Sequence, residues 1–320
     1  MAALYSKHSA AAATTYADVE NHALHMGEAL LGTPGSITTR ENSSGSRFFV
    51  RQYYDYDGRK RDEYLTSASE PKSAETIRGW KDRIDEARQI QDLVRFLKRE
   101  GYATLPPKHL AAIMPLANRG VFEAGAVLVG THAFDVIVNR MGIRAASFAT
   151  EDVDVPPLLV KKPTGKIKEK GRSRFTFDLL VPSADTGIEA RPVPELMAYA
   201  IALPYLGYLL GETQVGAALS RHGVLAVRVP VPERFALHKL LVSQLRRGRG
   251  EKSAKDRRQA AVLIAALGEN DPGALEAAFA KLPSSSREHV RKAARSIRDA
   301  LEPHPQSWEE LAKVAKLEAP

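Results

Sequence analysis

Residues Ala124-Gly-Ala-Val-Leu-Val-Gly-Thr-His-Ala-Phe134 place a short apolar run directly before a Gly-Thr pair. Such a run, ended by a glycine, is typical of a buried strand. After Gly130 and Thr131, apolar residues recur at helical spacing as far as Met141. We therefore predict a strand, a glycine turn and a helix, in which backbone N–H groups at the start of the helix suit the oxygens of a phosphate.

Three aspartates follow this segment and suit a metal site. Asp152 and Asp154 are separated by one valine, so on a strand both carboxylates point to the same face. Asp178 lies in a second alternating stretch, and a basic loop at residues 161–174 joins the two stretches. Antiparallel pairing would bring the carboxylates together, and hard divalent cations prefer carboxylate oxygens. We predict that the aspartates hold a pair of Mg²⁺ or Mn²⁺ ions.

The remainder of the chain indicates an α+β protein with a small mixed sheet and flanking helices. Residues 36–54 predict a β-meander, and apolar residues at helical spacing predict a long amphipathic helix over residues 73–99. Residues 225–230 are typical of a last short strand. From residue 233 onward the pattern is helical, with predicted breaks at 248–250 and 268–272. We divide the chain into an N-terminal meander and long helix (1–115), a core that carries the site (116–232) and a C-terminal helical domain (233–320).

The composition limits the class of protein. With 320 residues, of which 44% are hydrophobic, the chain can bury an ordinary core. No stretch approaches the roughly 20 apolar residues of a membrane span, and the first residues lack the pattern of a secretory signal. Cysteine is absent, which removes thiolate chemistry and fits a reducing compartment. We expect a cytoplasmic protein without a membrane partner.

The distribution of charge favours a polyanionic partner. The formal net charge is +8, and basic residues are dense in two segments, 161–174 and 239–258, which flank the predicted site. Clustered Lys and Arg raise the local concentration of phosphate-bearing molecules. A nucleic acid therefore suits this chain better than a small cationic molecule.

The three motifs resemble those of the nucleotidyltransferase-fold superfamily, the polymerase-β-like enzymes. The residues that carry the likeness are Val127-Leu-Val-Gly-Thr-His-Ala-Phe134, Thr150-Glu-Asp-Val-Asp-Val155 and Phe175-Thr-Phe-Asp-Leu179. The chain is most similar to an uncharacterised bacterial family with this fold, which also carries an N-terminal β-meander and a long helix. That family has a downstream segment like Val229-Pro-Val-Pro-Glu-Arg-Phe-Ala-Leu-His-Lys-Leu240, followed by Lys255-Asp256. Thr131 departs from the superfamily pattern, which often has Gly or Ser there, but it keeps a hydroxyl group.

The resemblance implies a role for each candidate residue. Asp152 and Asp154 would bind both ions, and Asp178 would bind the catalytic ion and help to deprotonate the acceptor. Gly130 and Thr131 would hold the triphosphate. Basic side chains near the phosphates would come from the C-terminal helices, with Lys239 as the first candidate and Arg246 and Lys255 as further ones.

The implied activity is transfer of NMP from an NTP to an acceptor hydroxyl, with release of pyrophosphate. RNA, and tRNA ends in particular, are the expected acceptor, while a protein hydroxyl or a small molecule stays open. One alternative is a glycosyltransferase, in which the Asp-x-Asp pair holds manganese and a nucleotide sugar. Another is a non-catalytic nucleic-acid-binding scaffold.

Several other residues are left out of the predicted site. His132 and His238 are interpreted as ordinary core or surface histidines. His22 and His25 lack the H-E-x-x-H context of a zinc site. The aromatic residues of the meander are assigned to its own packing: Tyr53, Tyr54 and Tyr56.

Overall fold

The computed structural model of the chain describes residues 2–145, 179–183, 187–193, 198–246 and 250–317. In chain order the described elements are β1 (Tyr5–Lys7), α1 (Ala10–His25), β2 (Ser36–Glu41), β3 (Arg47–Tyr54), β4 (Lys60–Ser67), α2 (Ser73–Arg99), α3 (Pro107–Ala117), α4 (Thr131–Arg140), β5 (Ile143–Ala145), β6 (Leu180–Pro182), β7 (Glu189–Val193), β8 (Ala198–Leu203), α5 (Leu206–Leu210), β9 (Thr213–Ser220), β10 (Gly223–Pro230), α6 (Pro232–Leu245), α7 (Gly250–Asn270), α8 (Ala274–Ala280), α9 (Ser284–Arg295) and α10 (Pro305–Val314). This mixture of helices and small sheets confirms the predicted α+β class.

The described residues group into two compact units. Unit 1 draws on Met1–Lys7, Val127–Gln214 and Val229–Pro320, and unit 2 on His8–Ala126 and Val215–Arg228. The division of the sequence at residues 115 and 232 remains a prediction. Among the described helices, none combines the length and the apolar composition needed to cross a membrane.

Unit 2 contains the predicted meander and the predicted long helix. Strands β2, β3 and β4 form an antiparallel sheet in that order, with Thr38 opposite Val50 and Val50 opposite Tyr64. Helix α2 begins and ends where the apolar periodicity does. Its inner face packs with α1 and with residues from β9 and β10 in a core of buried side chains: Ala12, Tyr16, Val19, Ala23, Ile90, Val94, Leu97, Tyr102, Ala217, Leu219 and Val224.

The expected strand at residues 124–129 is wrong. Residues 124 and 125 form a turn and residues 126–129 have no regular structure, with side chains that are exposed or half-buried. A strand exists only where a neighbouring strand pairs with its backbone, and an apolar run does not reveal whether such a neighbour is present. The helix predicted after Gly130 is confirmed as α4.

Unit 1 contains a small mixed sheet and the C-terminal helices. Strand β8 lies between β6, to which it is parallel, and β7, to which it is antiparallel. Strands β1 and β5 form a separate antiparallel pair. Helices α6 to α10 confirm the helical C-terminal third.

The predicted break at residues 268–272 begins three residues too early. Gly268 lies inside α7, which continues to Asn270. A Cβ atom at Gly268 would lie 2.5 Å from the Cα atom of Ser307, on α10. This glycine therefore allows two helices to approach closely, and it does not end a helix.

Candidate functional site

The structure describes half of the predicted site. The predicted metal ligands lie outside the described residues: Asp152, Asp154 and Asp178. Gly130, Thr131 and Lys239 are described, and all three belong to unit 1. Within the described ranges, no three His, Asp or Glu side chains are arranged to hold a metal ion. The metal-binding assignment thus stays with the three aspartates as a prediction.

Gly130 opens helix α4 in a backbone conformation that few other residues adopt. Its φ is 77° and its ψ is −150°, a combination that a side chain makes sterically costly. The Gly130 carbonyl accepts the N–H of Phe134 at 3.1 Å, which closes the first helical turn. The N–H groups of a first turn have no partner within their own helix, and the helix dipole favours an anion there. This end of α4, which begins at Thr131, therefore suits a phosphate.

Replacing Gly130 by alanine is expected to weaken binding of a nucleoside triphosphate about tenfold or more if this turn holds its phosphates, because strain of about 1–3 kcal/mol would distort the turn. Gly142→Ala is the matched control, because Gly142 also has a positive φ, 66°, and follows the opposite end of α4. Gly142→Ala should lower stability without changing the affinity for the nucleoside triphosphate. NTP binding is measured by titration. Equal effects of the two substitutions would show that Gly130 has no particular role in binding the phosphates.

Lys239 lies on α6, and its ammonium group is held in a buried ion pair. Nζ donates to Oδ1 of Asp256, on α7, at 2.7 Å. Arg246, just after α6, has Nε 2.7 Å from Oδ2 of the same carboxylate, at an angle that does not make a hydrogen bond. Asp256 is only 3% exposed. One buried carboxylate, that of Asp256, therefore pairs with two cations.

Burial controls protonation around this ion pair. Burial lowers the pKa of Lys239, and the charge of Asp256 opposes that shift. His238 keeps some accessible surface, yet burial, with the charges of Lys239 and Arg246, lowers its pKa to about 3. His238 is therefore neutral at physiological pH and adds no positive charge to its surroundings.

Helix α4 meets the helices that carry these cations. The rings of Phe134, on α4, and Phe235, on α6, have centroids 6.3 Å apart. Lys255, on α7, acts electrostatically on both Asp135 of α4 and Lys239 of α6. The fold thus joins the helix that begins at the Gly-Thr pair to a group of basic side chains that we call the cation cluster: Lys239, Arg246 and Lys255.

Asp135 and Asp256 are acids to which the sequence interpretation gave no role. Burial raises the pKa of Asp135, and the nearby His132 and Lys255 oppose that rise only in part. The Nδ1 atom of His132 lies 3.8 Å from Oδ2 of Asp135. Their spacing of three residues is the signal that could have shown this pair, because such residues share a helix face. For Asp256, the feature that could have been recognised is an acidic residue placed shortly before the apolar stretch that is buried in α7.

Residues 156–283 match a protein-family model described as nucleotidyltransferase. This match confirms the resemblance predicted from the motifs, and it supports nucleotidyl transfer as the general activity. The matched range includes position 178 and helices α6 and α7, and it begins after positions 130, 131, 152 and 154. No curated protein and no solved structure matches the chain.

Proposed function

We propose that this chain, whose residues 156–283 match the nucleotidyltransferase family, moves NMP from an NTP to an acceptor hydroxyl and releases pyrophosphate. The match carries the proposal, because it extends from the region of Asp178 to the helices that hold the cation cluster. A glycosyltransferase would leave both the Gly-Thr turn and this match without an explanation.

The cation cluster supports a ligand with several negative charges. Lys239 and Arg246 share the carboxylate of Asp256, so these three described groups together keep a net positive charge. One carboxylate therefore faces two cations, and a phosphate oxygen would supply the second negative charge. The start of α4 adds N–H donors and a helix dipole. Together they suit the triphosphate, whose developing charge must be neutralised during transfer.

The predicted metal ligands suit magnesium or manganese. Asp152, Asp154 and Asp178 offer only carboxylate oxygens, the donors that these hard ions prefer. When bound, such ions lower the pKa of the attacking hydroxyl and neutralise the leaving pyrophosphate. In this proposal Asp178 also helps to take the proton from the acceptor, and the cation cluster holds the phosphates in line.

RNA, and tRNA ends in particular, are the acceptor that we propose. The basic segments at residues 161–174 and 239–258 lie within the matched range, close in sequence to the site. In the second segment, Arg246 keeps about a third of its side-chain surface, 34%, and Arg258 is exposed. Accessible guanidinium groups beside a nucleotide site favour an acceptor that carries a phosphate backbone.

The decisive experiment incubates the purified chain with each NTP, labelled at the α-phosphate, with Mg²⁺ or Mn²⁺ and total bacterial RNA. We expect label on RNA with the wild type and none with Asp152→Ala plus Asp154→Ala, because the metal ligands are removed. The matched control is Asp18→Ala plus Asp82→Ala, which removes two exposed helix carboxylates and should leave transfer unchanged.

The other outcomes separate the alternatives. Label on added protein or on a small molecule, with none on RNA, would replace the acceptor and keep the reaction. Binding of nucleotide sugars in preference to NTPs would favour the glycosyltransferase. Absence of NTP binding, judged by absence of thermal stabilisation with Mg²⁺ and NTP, would overturn the enzyme and leave the nucleic-acid-binding scaffold.

A further inference from the structure

Within unit 1, hydrogen bonds that we call the relay attach the first residues of the chain to the C-terminal helical region, and two of the groups involved, Tyr5 and His304, are buried. The backbone N–H of Leu4 donates to Nε2 of His304 at 3.0 Å. Nδ1 of His304 lies 2.6 Å from one carboxylate oxygen of Glu269, and the hydroxyl of Tyr5 donates to the other. The rings of Tyr5 and His304 stack with centroids 5.5 Å apart. Nδ2 of Asn270 donates to the Tyr5 hydroxyl at 3.2 Å.

The geometry assigns a protonation state to each member of the relay. A backbone N–H can only donate, so Nε2 of His304 accepts and the imidazole carries its single proton on Nδ1, which donates to Glu269. Burial raises the pKa of Glu269, but hydrogen bonds from Tyr5 and His304 outweigh it and lower that pKa, so the group stays a carboxylate. Burial and Glu269 raise the pKa of Tyr5 to about 12, so its hydroxyl keeps its proton.

The relay holds a strand that has a second partner in the same unit. Strand β1 pairs with β5, with Tyr5 opposite Ala145 and Lys7 opposite Ile143. Beyond Ala145 the chain continues towards the predicted metal ligands. The attachment of β1 to α7 and α10 therefore fixes one side of the strand pair from which that segment departs.

We propose that the relay is a proton-controlled latch, in which a second proton on His304 releases Leu4 and with it β1 from the C-terminal helices. An imidazolium would turn an N–H bond at Nε2 towards the N–H of Leu4, so that two donors would face each other. His304 is 4% exposed, so its imidazolium cannot turn to solvent without opening the structure.

The charged and polar groups that face the relay come from two elements. The facing groups are Glu269 and Asn270 from α7 and Tyr5 and Lys7 from β1. The Glu269 carboxylate attracts the second proton, while Tyr5 and Asn270 are neutral. Lys7 acts on Glu269 as an opposing positive charge. The latch is therefore closed when His304 is neutral and opens when His304 carries a second proton.

Amide hydrogen exchange of the full chain tests the latch. For the wild type we expect the Leu4 amide and those of β1 to open about tenfold more often near pH 5.5 than near pH 7.5, after correction for intrinsic exchange, because about one hydrogen bond is lost. Amides of α2, in unit 2, should keep their protection and so exclude general unfolding. Protection of Leu4 that does not change with pH would overturn the proposal.

Two substitutions distinguish the effect of protonating His304 from the effect of losing a hydrogen bond. His304→Gln keeps an acceptor for Leu4 and a donor for Glu269 but cannot take up a proton, so its protection should not depend on pH. Tyr5→Phe removes the hydroxyl and leaves His304 in place, so protection should fall at every pH and keep its acid response. A pH response in His304→Gln equal to that of the wild type would also overturn the latch.

Discussion

Asp256→Ala is expected to destabilise unit 1 by about 3–5 kcal/mol, because Lys239 would be left as a buried cation without its partner. Lys239 is 9% exposed and its Nζ is 2.7 Å from the carboxylate, so water cannot solvate the ammonium group in place of Asp256. Arg246 is affected less, because its side chain is 34% exposed and can turn to solvent. Urea unfolding followed by Trp308 fluorescence, in a Trp80→Phe background, reports on unit 1.

A double substitution distinguishes the ion pair from its function. Lys239→Met plus Asp256→Leu replaces both charges by apolar groups, which often costs less than about 1 kcal/mol relative to the intact pair. We expect this variant to fold and to bind NTP more weakly than the wild type, because the ammonium group of Lys239 is removed, although Arg246 keeps the net charge of these groups at +1. A stable double variant with an unchanged KM for NTP would show that the ion pair serves packing alone. Additive destabilisation by the two single substitutions would contradict the coupling itself.

Arg51→Met is expected to destabilise unit 2 by about 3 kcal/mol, because three backbone carbonyls would lose a donor and Glu63 would lose its ion-pair partner at once. Arg51 is 1% exposed and belongs to unit 2. Its guanidinium donates to the carbonyls of Leu31 at 3.0 Å and Thr33 at 3.2 Å. It also lies 4.1 Å from the ring centroid of Tyr53 and 5.9 Å from that of Trp80. The side chain therefore joins the loop before β2, strand β3 and helix α2.

Two further variants show which contacts of Arg51 matter. Arg51→Lys keeps the charge, but an ammonium group lacks the planar set of N–H donors with which a guanidinium reaches several acceptors. We therefore expect an intermediate loss of stability. Glu63, which accepts from Nε of Arg51 at 2.7 Å, is 41% exposed, so Glu63→Gln should cost less than about 1 kcal/mol. Trp80 fluorescence during urea unfolding, in a Trp308→Phe background, follows unit 2. A loss in Glu63→Gln as large as in Arg51→Met would show that the salt bridge, and not the carbonyl contacts, is the main contribution.

Sequence patterns predicted the elements whose signal is contained within the element itself. The meander and helix α2 were predicted because alternating and helical periodicities, with turn residues between them, are local properties. The helix after Gly130 was predicted for the same reason. In contrast, the strand expected at residues 124–129 depends on a pairing partner, and the break expected at Gly268 depends on the packing of α10 against α7. Neither is encoded in the residues that suggested it.

The candidate site divides in the same way. The motifs around Gly130, the Asp-x-Asp pair and Asp178 were sufficient to predict the nucleotidyltransferase resemblance, and composition with the segment pattern was sufficient to predict an α+β protein. The geometry that supports a phosphate ligand was not visible in them. Lys239 was a candidate from the resemblance, but its burial and its carboxylate partner were unknown before the fold was described.

The sequence by itself determined the class of the fold, the long helix and meander, and the nucleotidyltransferase motifs, because each is a pattern of neighbouring residues. Only the tertiary structure decided that Asp256 pairs with Lys239, that Gly268 leaves room for Ser307, and that His304 accepts the N–H of Leu4. The reason is physical: these contacts join residues from 17 to 300 positions apart. They form when buried faces of separate elements pack, and no local periodicity specifies which faces meet.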